Sequence, residues 1–546
     1  MLRRECIAPC SMEQAQRVDP VPFEGESTGV VQRPASWLLV VSLALGLFGC
    51  NLTTSTATPF SRGPDFIHPP TRTAVPSAAS PVPTPTISYQ PTFEPAPCAF
   101  PVPRGYHPEC GYLIVPENRS RPEARLIRLH VAIFRNRMGT PDPDPVIKLA
   151  GGPGSSGLET AGYLLSKGMD AVLDRHDFVV FDQRGTGYSQ PRLDCPERVE
   201  ITPTLLGGGL SSQESQQAIL DAFRGCRERL IAEGTDLSAY NSAASAADIV
   251  DLKSALGVDQ WNLYGLSYGT RLALTLMRDH PEAVRSAVLD SVYPLQVNLY
   301  TALAPNAERA FNVFFARCAA DPNCNTSYPD LRKVFYQLVD QLNAQPIPVS
   351  VSVASGTQRV RLDGGLLIDV LFDGLYNPAV TATMPRMIYN IRGAEYAILR
   401  QRLALYFEST TALGMQMAVQ CSEEIPFSLP QEAYAAAQGV QPQIAAYYPQ
   451  SVQPLFDVCT EWTTTPPDPR ENLPVHSDIP ALVLAGDGDP ITPPDWGRMV
   501  AGDLSHAYFH EFPGNGHWVA RSSPCAVQMA LAFWENPTVD PGSICR

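Results

Sequence analysis

The sequence predicts an α/β fold, with a mostly parallel central sheet, helices on both of its faces and an inserted, mainly helical cap domain. From Cys98 onward, apolar strand-like runs alternate with stretches of helical spacing, which is the pattern of a parallel sheet covered by helices. Over residues 295–475 long helical patterns interrupt this alternation. We therefore expect residues 98–294 and 476–546 to form the core and residues 295–475 to form the cap.

The predicted elements follow one another in a regular order. The first two strands, 111–117 and 128–136, are expected to pair antiparallel at the start of the sheet. Later strands are expected at 145–154, 177–187, 260–267, 284–292, 479–489 and 506–512. Helices are expected at 243–257, at 268–280 and at about 525–535. Open parallel sheets place their binding sites at the carboxyl ends of the strands. We therefore expect the functional residues in the loops that follow these strands.

The bulk composition excludes several classes of function. The chain has 546 residues, enough for one large domain with insertions. Its net charge of −15 argues against a nucleic-acid partner, because affinity for phosphate backbones comes from clustered Lys and Arg. The histidines are too scattered along the chain to form a metal-ligand cluster. We expect no metal, no cofactor and no bound nucleic acid.

The N-terminal region predicts export and a membrane anchor. Residues 1–50 are interpreted as a leader with a lipoprotein-type signal peptide, because the apolar run 37–49 ends at "LFGC". This ending resembles a bacterial lipobox and implies that Cys50 is lipidated, with the protein held outside the cytoplasm; the alternative is a plain secretory signal. Residues 51–97 are rich in Thr, Ser and Pro and are expected to be a disordered tether.

The cysteines favour an oxidising compartment. Of 13 cysteines, ten lie beyond the predicted tether, and an even set of this kind favours disulfides. The alternative is a set of buried free thiols in a cytosolic enzyme. The connectivity that we expect pairs neighbours in the sequence: Cys98–Cys110, Cys195–Cys226, Cys318–Cys324, Cys421–Cys459 and Cys525–Cys545.

A G-x-S-x-G motif, "GLSYG", carries the main chemical hypothesis. Ser267 follows a predicted strand and precedes a predicted helix, which is the context that a nucleophile elbow requires. The glycines remove side chains where the turn brings strand and helix close together. The amide of Tyr268 then becomes a candidate oxyanion donor. Alone, the motif leaves open an ordinary glycine-flanked serine in a loop.

A serine nucleophile needs a base and an acid, which in this arrangement follow it in the order acid, histidine. His517 lies in the glycine-rich loop "PGNGHW" after the last predicted strand, whereas His506 and His510 bracket that strand and favour structural roles. The loop "AGDGDPITP" offers both Asp487 and Asp489 as the acid. Loop position alone does not choose between them.

The loop "AGGPGSSG" at 150–157 is the candidate for the second oxyanion donor. It follows a predicted strand early in the sheet, where backbone amides are expected to provide the second oxyanion donor. A phosphate-binding function is excluded because the loop lacks the Gly-Lys-Ser/Thr ending.

Five motifs in this order, "GGPGSSG", "FDQRGTGYS", "YGLSYGT", "GDGDPITP" and "GNGHW", resemble the α/β-hydrolase peptidases of the proline iminopeptidase and tripeptidyl aminopeptidase family. The likeness spans about residues 98–546. It implies Ser267 as the nucleophile, Asp489 as the acid and His517 as the base, with the backbone amides of Gly152 and Tyr268 as oxyanion donors.

The resemblance also narrows the expected substrate. Proline iminopeptidases usually carry a histidine at the position of Ala150, so this chain resembles the tripeptidyl aminopeptidase branch, in which Asp182 and Arg184 of "FDQRGTG" are expected to be structural. The segment "VQCSEEIPF" resembles the cysteine-plus-acid segment of the family's cap. It implies that Glu423 or Glu424 binds the substrate ammonium; the alternative is a solvated acid at a helix end.

We expect a secreted serine hydrolase that removes N-terminal residues or short peptides from peptides through an acyl-enzyme. One alternative is a carboxylesterase that uses the same triad on acyl or lipid esters, because the fold does not determine the substrate. Another is a non-catalytic binding lipoprotein on a hydrolase scaffold.

Overall fold

The computed structural model describes residues 89–121, 125–408, 410–462 and 466–545. The predicted signal peptide and Cys50 lie outside these residues, as does most of the predicted tether. In the part of the chain that the structure covers, no helix combines the length and hydropathy needed to cross a membrane.

Within the described residues, nine strands form the central sheet in the order β1-β2-β3-β5-β4-β6-β7-β10-β11. The first four strands in this order pair antiparallel, and the pairs from β5 to β11 are parallel. The strands, with the separate two-stranded pair β8–β9, are β1 (Thr92–Pro95), β2 (Glu109–Pro116), β3 (Leu126–Phe134), β4 (Val146–Leu149), β5 (Phe178–Phe181), β6 (Trp261–Leu266), β7 (Val284–Asp290), β8 (Ile347–Val353), β9 (Gly356–Leu362), β10 (Ala481–Gly486) and β11 (Ala507–Phe512). The predicted α/β-hydrolase fold with a mostly parallel sheet is confirmed.

Helices cover both faces of the sheet and fill the segments between strands. In chain order they are α1 (Gly157–Leu165), α2 (Pro196–Glu200), α3 (Thr202–Gly207), α4 (Ser212–Ala232), α5 (Ser242–Leu256), α6 (Tyr268–Asp279), α7 (Leu299–Ala320), α8 (Pro322–Ser327), α9 (Leu331–Ala344), α10 (Gly364–Leu375), α11 (Pro378–Thr381), α12 (Met384–Arg392), α13 (Ala397–Ala404), α14 (Leu413–Glu423), α15 (Pro430–Ala436), α16 (Pro442–Trp462), α17 (Pro494–Asp503), α18 (Val519–Ser522) and α19 (Pro524–Glu535). Every strand and helix predicted for the core is present near its expected position.

The central parallel strands read as continuous apolar runs because both of their faces are covered. All residues of β4, β5, β6 and β10 are buried, as expected for strands sandwiched between helix layers. One apolar cluster joins the sheet to α5, α6 and α17. A second joins the opposite face to α1 and α19. The sheet is therefore a rigid platform for the loops at its strand ends.

A third apolar cluster lies outside the sheet and combines two separate segments. It contains buried residues of α7, α9, α10 and α12 to α16 together with residues of α3 and α4. Phe223 of α4 packs edge-to-face on Trp462 of α16. Arg224, also of α4, forms an ion pair with Glu461 of α16. The segment between β5 and α5 therefore packs with the segment between β7 and β10, a partnership that the sequence analysis did not predict.

The first residues that the structure describes also differ from the expectation. Strand β1 lies within the predicted tether and pairs with β2, with Thr92 opposite Ile114. The Tyr89 hydroxyl donates to the Ile114 carbonyl at 2.6 Å. An edge strand satisfies backbone groups whatever its composition, and an edge tolerates proline. Residues 89–97 therefore belong to the fold and not to the predicted tether.

The expected disulfide connectivity is confirmed in all five pairs. Cys421–Cys459 joins α14 to α16, and Cys195–Cys226 joins the start of α2 to α4.

Candidate active site

Ser267 lies in a strained turn between β6 and α6, as the motif predicted. Its φ of 55° and ψ of −123° place it outside the regions that non-glycine residues favour. A Cβ on Gly265 would lie 2.7 Å from the Gly269 carbonyl oxygen, and a Cβ on Gly269 would lie 2.1 Å from the Leu149 carbonyl oxygen. Both glycines are therefore required by the close approach of β6, α6 and β4, and the turn presents a half-buried serine.

Asp489 and His517 are brought together at the ends of β10 and β11. Asp489 Oδ2 lies 2.8 Å from His517 Nδ1. Because an ionised carboxylate only accepts hydrogen bonds, Nδ1 carries the proton and Nε2 is left as the acceptor. Asp489 is fully buried, and burial raises its pKa, but His517 and hydrogen bonds from Thr492 outweigh burial and hold the pKa below its ordinary value. The pair thus contains an ionised carboxylate and an imidazole whose Nδ1–H is directed at it.

The structure separates the two aspartates that loop position left open. Asp489 faces His517, whereas Asp487 forms an ion pair with Arg317 of α7 and accepts from the Gly514 amide at 2.9 Å. Asp487 therefore links α7 to the loop that carries the histidine.

Thr492 is a member of this site that the sequence analysis missed. Its hydroxyl donates to Asp489 Oδ2 at 2.7 Å and lies 3.0 Å from His517 Nδ1. The Thr492 and Ile491 amides donate to the other carboxylate oxygen of Asp489, each at 2.9 Å. Thr492 comes three residues after Asp489, so the spacing in "DPIT" was the available signal.

The end of β7 connects the serine turn to the histidine loop. The Ser267 amide donates to the Asp290 carbonyl at 3.0 Å. The Asp290 carboxylate accepts from the Val519 and Ala520 amides, and the Ser291 hydroxyl accepts from the Trp518 amide at 2.8 Å. Two adjacent residues thus hold both loops, which sets His517 beside the Ser267 turn. Nothing in the predicted strand distinguished Asp290 as a linker.

The candidate oxyanion donors border the same turn. Tyr268 is the first residue of α6, where backbone amides have no partner within the helix. Gly152 follows β4 with a φ of 109°, a conformation that favours glycine. Gly154, in the same loop, accepts a hydrogen bond from the Ala412 amide at 3.0 Å. The loop therefore lies between the sheet and the N-terminus of α14.

The "FDQRGTG" segment has the structural contacts that the resemblance implied. Asp182 accepts from the Ser156 hydroxyl at 2.7 Å and from the Leu158 amide at 3.1 Å, which holds the start of α1 behind the glycine loop. Arg184 forms a buried bidentate pair with Asp248 of α5, both contacts at 2.7 Å.

Glu423 and Glu424 lie at the end of α14 and are buried. Glu423 accepts from the Ser242 hydroxyl at 2.6 Å, and that hydroxyl lies 2.8 Å from the Tyr268 hydroxyl. Burial, with Glu471 nearby, raises the pKa of Glu423 to about 7. Neither glutamate is a solvated surface acid.

Glu424 contacts Tyr293 and the Leu299 amide. Burial raises the pKa of Glu424 above its ordinary value. Among the residues that the structure covers, no cluster of three or more His, Cys, Asp or Glu side chains could hold a metal ion.

Comparison with known proteins places this geometry in a family. The family model described as alpha/beta hydrolase fold matches residues 144–520. Serine protease Hip1 of Mycobacterium tuberculosis is 24% identical over 468 residues, which cover 80% of this chain and 87% of that protein. Tripeptidyl aminopeptidase of Streptomyces coelicolor is 33% identical over 193 residues, 34% of this chain and 35% of that protein.

Probable proline iminopeptidase of Streptomyces coelicolor is 26% identical over 162 residues, 29% of this chain and 36% of that protein. The resemblance inferred from the five motifs is thus confirmed. With a family match over more than half of its length, and with relatives named as peptidases, the chain is a hydrolase that belongs to the α/β-hydrolase fold family.

Proposed function

We propose that this protein is a serine aminopeptidase in which Ser267 is the nucleophile, His517 the base and Asp489 the acid. The observation that supports this most directly is the contact between Asp489 Oδ2 and His517 Nδ1 at 2.8 Å, beside a serine in a strained turn. A reactive serine, an imidazole with a free Nε2 and an oriented carboxylate are the components of acyl transfer.

The proposed reaction proceeds in two halves. Ser267 Oγ attacks the scissile carbonyl carbon while His517 Nε2 accepts the hydroxyl proton, and Asp489 stabilises the resulting imidazolium. The amides of Gly152 and Tyr268 donate to the developing oxyanion. The C–N bond then breaks, and His517 returns the proton to the leaving amine. Water, activated in turn by His517, attacks the acyl-enzyme and releases the N-terminal fragment and free Ser267.

Peptide substrates are proposed because the relatives are named as a serine protease, a tripeptidyl aminopeptidase and a proline iminopeptidase. We propose that residues 295–475 act as the cap over the site and that Glu423 or Glu424 binds the free substrate ammonium. Glu423 is buried, pairs with the buried Arg271 at 3.4 Å and is linked through the Ser242 hydroxyl to the Tyr268 side chain. Its position beside Tyr268 supports this role.

The test compares free-amine and N-blocked aminoacyl and tripeptidyl chromogenic amides, and a short-chain ester, with wild type and Ser267→Ala. Removal of the nucleophile is expected to abolish hydrolysis of all of them. The matched control is Ser254→Ala, on the far side of α5, where the hydroxyl bonds only within its own helix. Equal turnover of free and blocked amides would refute the aminopeptidase assignment and favour a less selective hydrolase, and ester hydrolysis alone would favour the carboxylesterase.

We also propose that the protein is exported and anchored through Cys50. Ten cysteines in five disulfides support an oxidising compartment. A Cys50→Ser variant is expected to move from the membrane fraction to the soluble extracytoplasmic fraction. An unchanged distribution would contradict the lipid anchor.

A further inference from the structure

Two buried glutamines on α14, Gln416 and Gln420, have no role in the machinery described so far. Their side chains are 4% and 3% exposed. Neither Oε1 atom accepts a hydrogen bond from any residue that the structure covers. A buried acceptor without a partner costs about 1–3 kcal/mol. An atom of this kind is expected where a ligand completes the hydrogen bond.

Helix α14 contacts the surroundings of the nucleophile turn at both of its ends. At its start, Ala412 donates to Gly154 of the oxyanion loop. At its end, Glu423 binds Ser242, whose hydroxyl meets the side chain of Tyr268, the residue after the serine. Residues three, four and seven apart share one face of a helix.

Gln416, Gln420 and Glu423 therefore lie on one face of α14. The opposite face is occupied: Cys421 is bonded to Cys459 of α16, and Gly414 packs closely on the Leu193 carbonyl.

Two further buried hydroxyls lie close to residues of the proposed site, that of Tyr376 beside His517 and that of Tyr300 near Glu424. Tyr376 packs its ring edge-on against His517, with centroids 5.0 Å apart, and its hydroxyl has no partner among the residues that the structure covers. The same is true of the Tyr300 hydroxyl, whose pKa is raised by burial and by Glu424. Unsatisfied polar atoms are thus present on several elements around the site.

We propose that Gln416 and Gln420 bind main-chain N–H groups of the peptide substrate between the scissile bond and the free amine. From Gln416 to Glu423 the helix rises about 10 Å, which equals about three residues of an extended peptide. The glutamines form a polar row along which such a peptide lies. This inference deepens the proposed function and rests on it.

The test uses Gln416→Met and Gln420→Met, because methionine is close to glutamine in shape and removes only the polar amide. The substrates are the p-nitroanilide of free-amine trialanine, its depsipeptide analogue in which one backbone N–H is replaced by an ester oxygen, and p-nitrophenyl acetate. Each variant is expected to lower kcat/KM for the peptide by about five- to tenfold relative to the acetate, the value of one hydrogen bond.

The depsipeptide completes a double-substitution cycle. When the glutamine accepts a hydrogen bond from the replaced N–H, wild type is expected to show a kcat/KM on the depsipeptide that is about five- to tenfold lower than on the peptide. The variant already lacks this hydrogen bond, so its kcat/KM is expected to fall little further on the depsipeptide. Gln453→Met on α16, where the glutamine bonds only Asp457, is the control and is expected to leave all three rates unchanged.

Thermal unfolding separates binding from packing. The variants are expected to be at least as stable as wild type, because an unsatisfied buried acceptor is removed. Equal losses on peptide and acetate together with a lower Tm would overturn the inference and make the glutamines packing residues. A wild type that cleaves the acetate but no peptide would refute the proposed function and this inference with it.

Discussion

The buried carboxyl of Glu423 allows a quantitative test of how the end of α14 is held. Its pKa is raised to about 7 by burial first and by Glu471 second, although Arg271 and Ser242 oppose the rise. In the unfolded chain a glutamate titrates near pH 4.3. The folded state therefore retains the proton to higher pH than the unfolded state. The resulting stability is fully present below about pH 4 and is lost as pH rises through about 7.

The magnitude follows from the difference between the two pKa values. Each pKa unit corresponds to about 1.4 kcal/mol, so Glu423 removes about 2 to 3 kcal/mol of unfolding free energy between about pH 5 and about pH 8. Glu423→Gln has no proton to lose. We expect the difference in unfolding free energy between variant and wild type to shift by this amount, in favour of the variant, as pH rises.

Urea unfolding followed by tryptophan fluorescence, with the disulfides intact and the ionic strength constant, measures this difference. Glu228→Gln on the exposed face of α4 is the matched control for replacing a glutamate by glutamine. A pH-independent difference between Glu423→Gln and wild type would refute the buried, proton-retaining environment.

Three further predictions concern the catalytic loops. Gly269→Ala places a Cβ against a backbone carbonyl of β4 and should destabilise the protein by about 3 kcal/mol or more. The control Gly502→Ala, which has open space around its Cβ, should not lower Tm. Equal Tm values for the two variants would contradict the steric argument. Thr492→Val should lower kcat by about tenfold on amides and esters alike, the value of one charged hydrogen bond, and an unchanged kcat would show that the hydroxyl is dispensable. Asp489→Asn should reduce kcat by about 10³–10⁴ because, in the proposed triad, it disturbs the imidazole tautomer; Asp487→Asn should reduce it by about tenfold or less, and the reverse order would exchange their proposed roles.

The core was predictable because its signals are local. Strands β4, β6 and β10, which precede the loops of Gly152, Ser267 and Asp489, are buried on both faces and are therefore short apolar runs, whereas β11 before His517 is only partly buried. The glycines of "GLSYG" are imposed by the close approach of β6, α6 and β4. Ser267, Asp489 and His517 each lie next to such a signal. The disulfide connectivity was predictable because each bond joins two cysteines that follow one another in the sequence, at most 38 residues apart.

What could not be predicted depends on contacts between distant segments. Asp290 connects two loops only after β7 has paired between β6 and β10. In β8 the buried residues Val349 and Val351 alternate with exposed ones, as is typical of a strand. This strand was not predicted because it lies in a segment dominated by helical patterns. The orientation of Glu423 toward Ser242 depends on how α14 packs on α5 and α6, which no local pattern records.

The segment that we propose as the cap is not independent of the catalytic loops. Arg309 of α7 donates to the carbonyls of both Asp487 and Asp489. Ala412 binds the oxyanion loop at Gly154. A Cβ on Gly516, beside the histidine, would lie 2.2 Å from the Leu375 carbonyl of α10. Because the loops that carry Asp489, His517 and Gly154 each contact this segment, we expect substitutions there to change kcat as well as KM.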